Sequence, residues 1–154
     1  MIELIKRGSQ IEARLRAKLA DIEKESPTGF SSDNTSGILF APASSEITKI
    51  FALSAMTYLY IVISGAYPGL PESIESVSAT INAFQSLTDS KLLRNLVSPF
   101  CISGCLSLDG QQAISRDLAS AAEITQSTVG TCFEALKIME ECWEIRKNCS
   151  CNCD

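Results

Sequence analysis

The side chains with most chemistry to offer are seven cysteines, set in a chain of 154 residues that contains no histidine. The missing imidazole removes Ser-His-Asp triads, Cys-His dyads, HExxH zinc sites and the usual neutral-pH proton shuttle together. Carboxylate pairs, a Cys or Ser nucleophile and a thiolate metal site are what remain. Cys149, Cys151 and Cys153 alternate through the C-terminal tail, and with Cys142 they would offer four soft ligands to zinc or copper. Structural zinc favours CxxC knuckles whose backbone turns around the ion, and CxC lacks that turn. The tail is therefore expected to be an exposed, oxidisable end without metal, whose replacement by alanines leaves thermal stability unchanged. Cys101 and Cys105 stand four apart, on one helical face if a helix survives Pro99. No histidine or recognisable helix N-terminus sits beside them to lower a thiol pKa, so core packing is the expected role. Glu140-Glu141 reads as a solvated helix face, and the scattered glycines form no phosphate-cradling loop. The residues alone thus point to a helical scaffold with no catalytic, cofactor-binding or metal-binding residues, and not to an enzyme.

The elements that would carry these side chains read as helices throughout, with no alternating strand pattern, so the expected fold class is all-α, built of stacked helical hairpins. Residues 1–25 form an amphipathic N-terminal helix, with Leu4, Ile11, Leu15, Leu19 and Ile22 as its stripe and Ser26-Pro27 as its end. Residues 26–43 are rich in Ser, Thr, Gly, Pro, Asp and Asn and read as a flexible linker, which would leave the first helix semi-independent. From residue 44 to 147 the texture is dense and helical, and 148–154 form the Cys-rich polar tail.

Within the dense region, residues 45–66 read as a buried central helix, and no charge occurs between Ile50 and Leu70. A run of that length must also be weighed as a membrane span over residues 50–70. Ser54, Thr57, Ser64, Gly65, the Pro68-Gly69 break and the missing basic flank argue against one. Pro71 and Glu72 suit a helix start, with Ile74, Val77, Ile81 and Phe84 on one face. Asp89 or Ser90 would cap a helix carrying Leu92, Leu93, Leu96 and Val97 into Pro99, which should kink or end it. Another helix is expected from Asp109, with Ile114, Leu118 and Ala122 inward. Thr131 and Glu134 have the spacing of a capping box opening a last helix, with Cys132, Ala135, Leu136, Met139, Cys142 and Trp143 on one side.

Charge narrows the function classes. Thirteen Lys and Arg stand against eighteen Asp and Glu, a formal −5. Six basic and five acidic residues fall in 2–25, so the acidity belongs to the rest of the chain. Neither part has the basic surface that grips phosphates, so no direct nucleic-acid binding is expected of this chain. Glu3, Lys6, Arg7, Glu12 and Arg14 follow the start at once, unlike a secretion signal, which reads as intracellular.

The specific words carry more than the texture. YLYIVISG at 58–65, Pro71, VSATINAFQSL at 77–87, LLRNLVSPFCISGC at 92–105 and ALKIMEECW at 135–143 occur in that order. Together they resemble the C-terminal portion of the fungal-specific transcription factor domain, over about residues 44–147, and IEARLRAKL at 11–19 resembles an earlier helix of it. The resemblance implies a nuclear regulatory and interaction module with no chemistry of its own. It implies zinc only in a separate DNA-binding head, where six cysteines hold two ions in full-length relatives. No cysteine precedes Cys101 here, so that head is missing from this chain and a fragment, one partial lobe of a larger helical domain, is expected. Its partners would be other proteins or the rest of the transcription factor domain, with a homodimer also open. Ser98 stands where the family commonly has Trp, and Ala113-Ile114 where it often has aromatics; such losses from a core would cost about 1.5–3 kcal/mol each. Leu59, Ile63, Ile81, Phe84, Leu96, Phe100, Leu136 and Trp143 are the expected packing residues. A small membrane-associated protein and a thiol metal-binding protein are the competing readings.

Overall fold

The computed structural model describes residues 2–25, 41–122 and 131–150, and among them every regular element is helical. The order is α1 (Ile2–Glu25), α2 (Ala41–Ser64), α3 (Pro71–Gln85), a short 3₁₀ helix (Ser90–Asn95), α4 (Val97–Leu106), α5 (Asp109–Ala121) and α6 (Thr131–Ser150). The all-α expectation is met. The expected linker overlaps the first turn of α2, and its residues 26–40 lie outside the described residues, as do Cys151 and Cys153 of the tail. Helix α6 runs through Ser150, so the polar end at Asn148 and Cys149 is still helical.

The first three helices form two successive hairpins. Helix α1 runs antiparallel to α2, tied by Lys49 to Glu23 (3.0 Å) near one end and by Tyr60 to Glu12 (2.8 Å) near the other. It is packed rather than semi-independent: Leu15, Leu19 and Ile22 are half-buried and Gly8 is buried against Ile63. Ile11, expected on the same stripe, is exposed, because the inward face of α1 turns through Gly8, Glu12 and Leu15 instead. Helix α2 ends at Ser64, before the expected 66. Gly65 takes φ +86°, a left-handed conformation that suits only glycine without strain, and its N–H closes on the Ile61 carbonyl at 2.9 Å. Helix α3 starts at Pro71, where a missing N–H costs nothing.

The α2–α3 contact is lined by small hydroxyls. Ser54, Thr57, Ser73, Ser76 and Thr80 are all buried. The Thr57 and Ser76 hydroxyls bond across the helices at 2.6 Å, while Thr80 donates back to the Ser76 carbonyl. No buried side-chain nitrogen or oxygen among the described residues lacks a partner. Ile74, placed by the sequence on the core stripe, is 38% exposed; the buried face of α3 runs through Ser73, Ser76, Val77, Thr80, Ile81 and Phe84.

Pro99 neither kinks nor ends a helix. Asp89 caps the 3₁₀ turn by accepting from the Lys91 N–H (2.8 Å), and Leu96 breaks the chain direction. Helix α4 then opens at Val97 with Pro99 in its first turn, where backbone N–H groups have no intrahelical partner anyway. Helix α4 is the central element, packed against α2, α3 and α6. Apart from the exposed Ser98 it is apolar nearly all round, as suits a helix with packed neighbours on several sides. Gly104 allows the close approach to α6, since a Cβ there would overlap the Met139 side chain.

Helices α4 and α6 run parallel. Cys132 lies by Leu93, Trp143 by Gly104 and Arg146 by Ser107, each pair 39 residues apart, and α5 returns the chain between them. Two carbonyls at the C-terminal end of α4 are met by α6, although Gly104 also accepts from the N–H and hydroxyl of Ser107, the residue that caps the helix. The Trp143 indole donates to the Gly104 carbonyl at 2.8 Å and Arg146 donates to the Ser107 carbonyl at 2.9 Å. Arg116 of α5 lies over the Trp143 ring at 4.8 Å while pairing with Glu140, and Phe84 meets Phe100 edge-to-face at 5.9 Å. Of the expected packing residues, Ile81, Phe84, Leu96, Phe100 and Trp143 are buried, whereas Leu59, Ile63 and Leu136 are half-buried. Ser98 and Ala113 are exposed and Ile114 only half-buried, so neither departure from the family pattern opens a hole in the core. Helix α6 begins at Thr131 as expected; the Thr131 side chain of the capping box lies outside the described residues.

Candidate functional site

Three features could do more than hold the fold. The first is one face of α2. Phe51 (46% exposed), Ala55, Tyr58 (57%) and Val62 (51%) follow at steps of four, three and four. This is the spacing of a heptad seam, the pattern by which a helix offers knobs to another helix. The opposite faces of the same helix hold Ile50, Ser54, Met56, Thr57 and Tyr60 in the interior. The buried central helix of the sequence reading is therefore half right: α2 is central on three sides and bare on the fourth. Its apolarity exceeds what the packed neighbours use. Ser44–Ser64 is long and apolar enough to cross a membrane, and a third of it is buried inside the molecule. The 50–70 span is not one helix, because the helix stops at Ser64.

The second feature is a polar tie and pocket where α1, α2 and α3 meet. The Tyr60 hydroxyl donates to Glu12 (2.8 Å) and accepts from Arg16 (3.2 Å), while Arg16 also pairs with Glu12 (3.0 Å). The Tyr60 hydroxyl first and Arg16 second hold the Glu12 carboxyl below its ordinary pKa. Burial, then the neighbouring Glu12, pushes the Tyr60 phenol up. Beside this tie lies a pocket of about 230 Å³, floored by Leu53, Met56 and Ala79 and rimmed by Glu23, Glu72 and Glu75. It is smaller than the usual range for drug-sized ligands, roughly 300–1,000 Å³.

The third feature is a group of thiols at the α4–α6 contact. Cys101 and Cys105 share one face of α4 and pack against the core cluster that holds Met139 and Trp143 of α6; they and Cys142 are half-buried. Cys142 stands two helical turns, roughly 10 Å, from the exposed Cys149, and the other two cysteines of the four-thiol set, Cys151 and Cys153, lie outside the described residues. Cys132 is buried with its sulfur 3.7 Å from the Leu93 carbonyl, and burial pushes its thiol up. Among the described residues no three Cys, Asp or Glu groups are arranged to hold a metal.

Comparison with known proteins defines the class. The fungal specific transcription factor domain matches residues 1–153, and the chain belongs to that family. The trichothecene biosynthesis transcription regulator TRI10 of Trichoderma arundinaceum is 38% identical over 101 residues, which are 66% of this chain and 24% of the relative. TRI10 of Fusarium sporotrichioides is 32% identical over 101 residues, with the same shares of 66% and 24%. The ustiloxin B cluster transcription factor ustR of Aspergillus flavus is 31% identical over 98 residues, 63% of this chain and 17% of the relative. The chain spans about a quarter of the length of the TRI10 relatives it matches. No solved structure matches the chain.

The resemblance stated from sequence is confirmed: the family match runs over residues 1–153 and so takes in both the words at 11–19 and residues 44–147. The sequence reading missed the α2 face and the Tyr60 tie. The heptad steps from Phe51 to Val62 were present in the sequence. They were hidden because the surrounding positions are apolar too, which leaves periodicity without contrast.

Proposed function

We propose that this chain acts as a non-catalytic regulatory and interaction module of a transcription regulator working in the nucleus. The observation that carries it is the bare heptad face of α2 in a chain of this family. The occupant we assign to that face is helical chain from the rest of the regulator. The TRI10 relatives, with 76% of their length outside the match, carry ample chain for the purpose. The uncharged face also suits a protein partner better than nucleic acid, given the formal −5 of the chain. Docking there would be read out as a change in how a DNA-binding head elsewhere recruits or withholds the transcription machinery.

The test fuses the chain to a heterologous DNA-binding head in a fungal reporter strain. Output should differ from that of the head alone and return to it when Tyr58→Glu and Val62→Glu are combined. Output equal to the head alone, with folded protein present in the nucleus, contradicts the proposal.

A further inference from the structure

The bare face of α2 has a charged border, and the border belongs to α1. Gly8 lies against Ile63 of α2 and Glu12 bonds to Tyr60, so these residues, with Leu15 and Leu19, mark the inward side of α1. Arg16, Ala20 and Glu23 line the pocket shared with α3. Successive residues turn by about 100°, which puts Ile11, Arg14 and Lys18 on the opposite flank of α1, away from α3. All three are exposed.

Helix α2 opens to the same side. Tyr60 and Ile63 meet α1, and Thr57 meets α3 through Ser76. Passing round α2 from α1 in the direction away from α3, the surface runs through Ala52 and Leu59, both half-buried, to the exposed Ala55 and Val62, and then to Phe51 and Tyr58. The antiparallel ties of Lys49 to Glu23 and Tyr60 to Glu12 set the register, with Arg14 level with Tyr58 and Lys18 level with Ser54.

The charges on this side have one sign. Between Glu12 and Asp21 the only charged residues are Arg14, Arg16 and Lys18. Arg16 is engaged by Glu12 and Tyr60 on the α3 side. Arg14 and Lys18 have no acidic partner among the described residues. Helix α2 itself has no charge from Ile50 to Ser64.

We propose that the open side of the α1–α2 hairpin is a groove for an amphipathic helix of the regulator, which lays apolar residues on Phe51, Tyr58 and Val62 and carboxylates along Arg14 and Lys18.

This inference rests on the reading of the α2 face as a docking surface, and adds the chemistry of the occupant and the side on which its acids lie. The apolar row supplies affinity, and the two cations select the partner and its orientation by rejecting a basic edge. A helix fits better than a lipid surface. The exposed residues are spaced as the knobs of one helix seam, and two unpaired cations fall short of the basic cluster that holds a protein on anionic lipid.

The test uses the full chain and two helical peptides of three heptads that share a leucine seam and differ along one edge, glutamate in one and lysine in the other. Fluorescence anisotropy of the labelled peptides at low salt should show the glutamate peptide binding about tenfold more tightly, a gap that narrows as salt rises. Arg14→Glu with Lys18→Glu should invert the preference. Arg14→Gln with Lys18→Gln should remove it, and this milder pair decides alone if the reversed chain fails to fold. Tyr58→Glu with Val62→Glu should abolish binding of both peptides. Equal binding of the two peptides, or a preference untouched by the glutamine pair, overturns the basic edge and leaves the α2 docking face standing. Binding of neither peptide, or binding indifferent to Tyr58→Glu with Val62→Glu, overturns the face itself. Capture by vesicles of phosphatidylcholine and phosphatidylserine that both glutamate pairs abolish assigns the surface to a membrane and overturns the proposal.

Discussion

Helices α2 and α4 are both apolar, and the molecule treats them oppositely. Helix α4 is enclosed by α2, α3 and α6, with Pro99, Phe100, Ser103, Gly104 and Leu106 all buried. Helix α2 keeps a row of Phe51, Tyr58 and Val62 about half exposed along its length. Apolarity in sequence is thus the same signal for two different jobs: filling a core and offering a face. What separates them is the neighbour. Helix α4 has large partners from α6 and α3, including Met139, Trp143 and Phe84, that seal around it. Helix α2 meets α3 through small hydroxyls and meets α1 through a polar tie at Tyr60, and neither neighbour reaches its outer side.

The contrast can be broken most severely at Trp143. Trp143→Ala should cost about 3–5 kcal/mol, since it empties a fully buried site and strips the Gly104 carbonyl of its indole donor. Chemical denaturation of the variant checks this, and Trp143→Phe should recover most of the loss. Gly104→Ala comes next, at about 1–3 kcal/mol, because the new Cβ must displace the enclosed Met139 side chain.

On the α2 side the effects should shrink. Tyr60→Phe removes the hydroxyl from Glu12 and Arg16 and should cost about 1 kcal/mol. It also changes the pH profile. Glu12 has its pKa lowered in the folded state, so its tie is in force above 4.5 and is lost as pH falls through the lowered value. The Phe variant should show a shallower fall of stability with pH in that acid window, measured by thermal melts below pH 4.5. Smallest of all, Tyr58→Glu with Val62→Glu should change the stability of the isolated chain by no more than about 0.5 kcal/mol per site. A large loss there would mean that the α2 face is already covered by this chain itself.

Much of this was readable from sequence, and the failures share a cause. The helix starts at Pro71, Asp109 and Thr131 followed from local chemistry that acts within one turn. The family words from Tyr58 to Trp143 were readable for the same reason: they are contiguous. Pro99 was misjudged because the fate of a proline depends on where its helix begins, and that was decided by Leu96 turning the chain one residue before Val97. Ile11 and Ile74 were placed inside because an apolar residue at helical spacing is ambiguous when the inward face is made of Gly8, Ser73 and Ser76. The Trp143–Gly104 bond was invisible because it joins residues 39 positions apart, which no local pattern can bring together.

The central claim is that the bare face of α2 is the docking surface for the rest of a transcription regulator. The most direct measurement is co-purification of this chain with the portion of the Trichoderma arundinaceum TRI10 relative that lies outside the match, followed by sedimentation. The expected result is a one-to-one complex that Tyr58→Glu with Val62→Glu abolishes while leaving the melting temperature of the chain alone unchanged. Recovery of the chain as a homodimer through this face, its capture by phospholipid vesicles, or a complex indifferent to the two substitutions would contradict the claim.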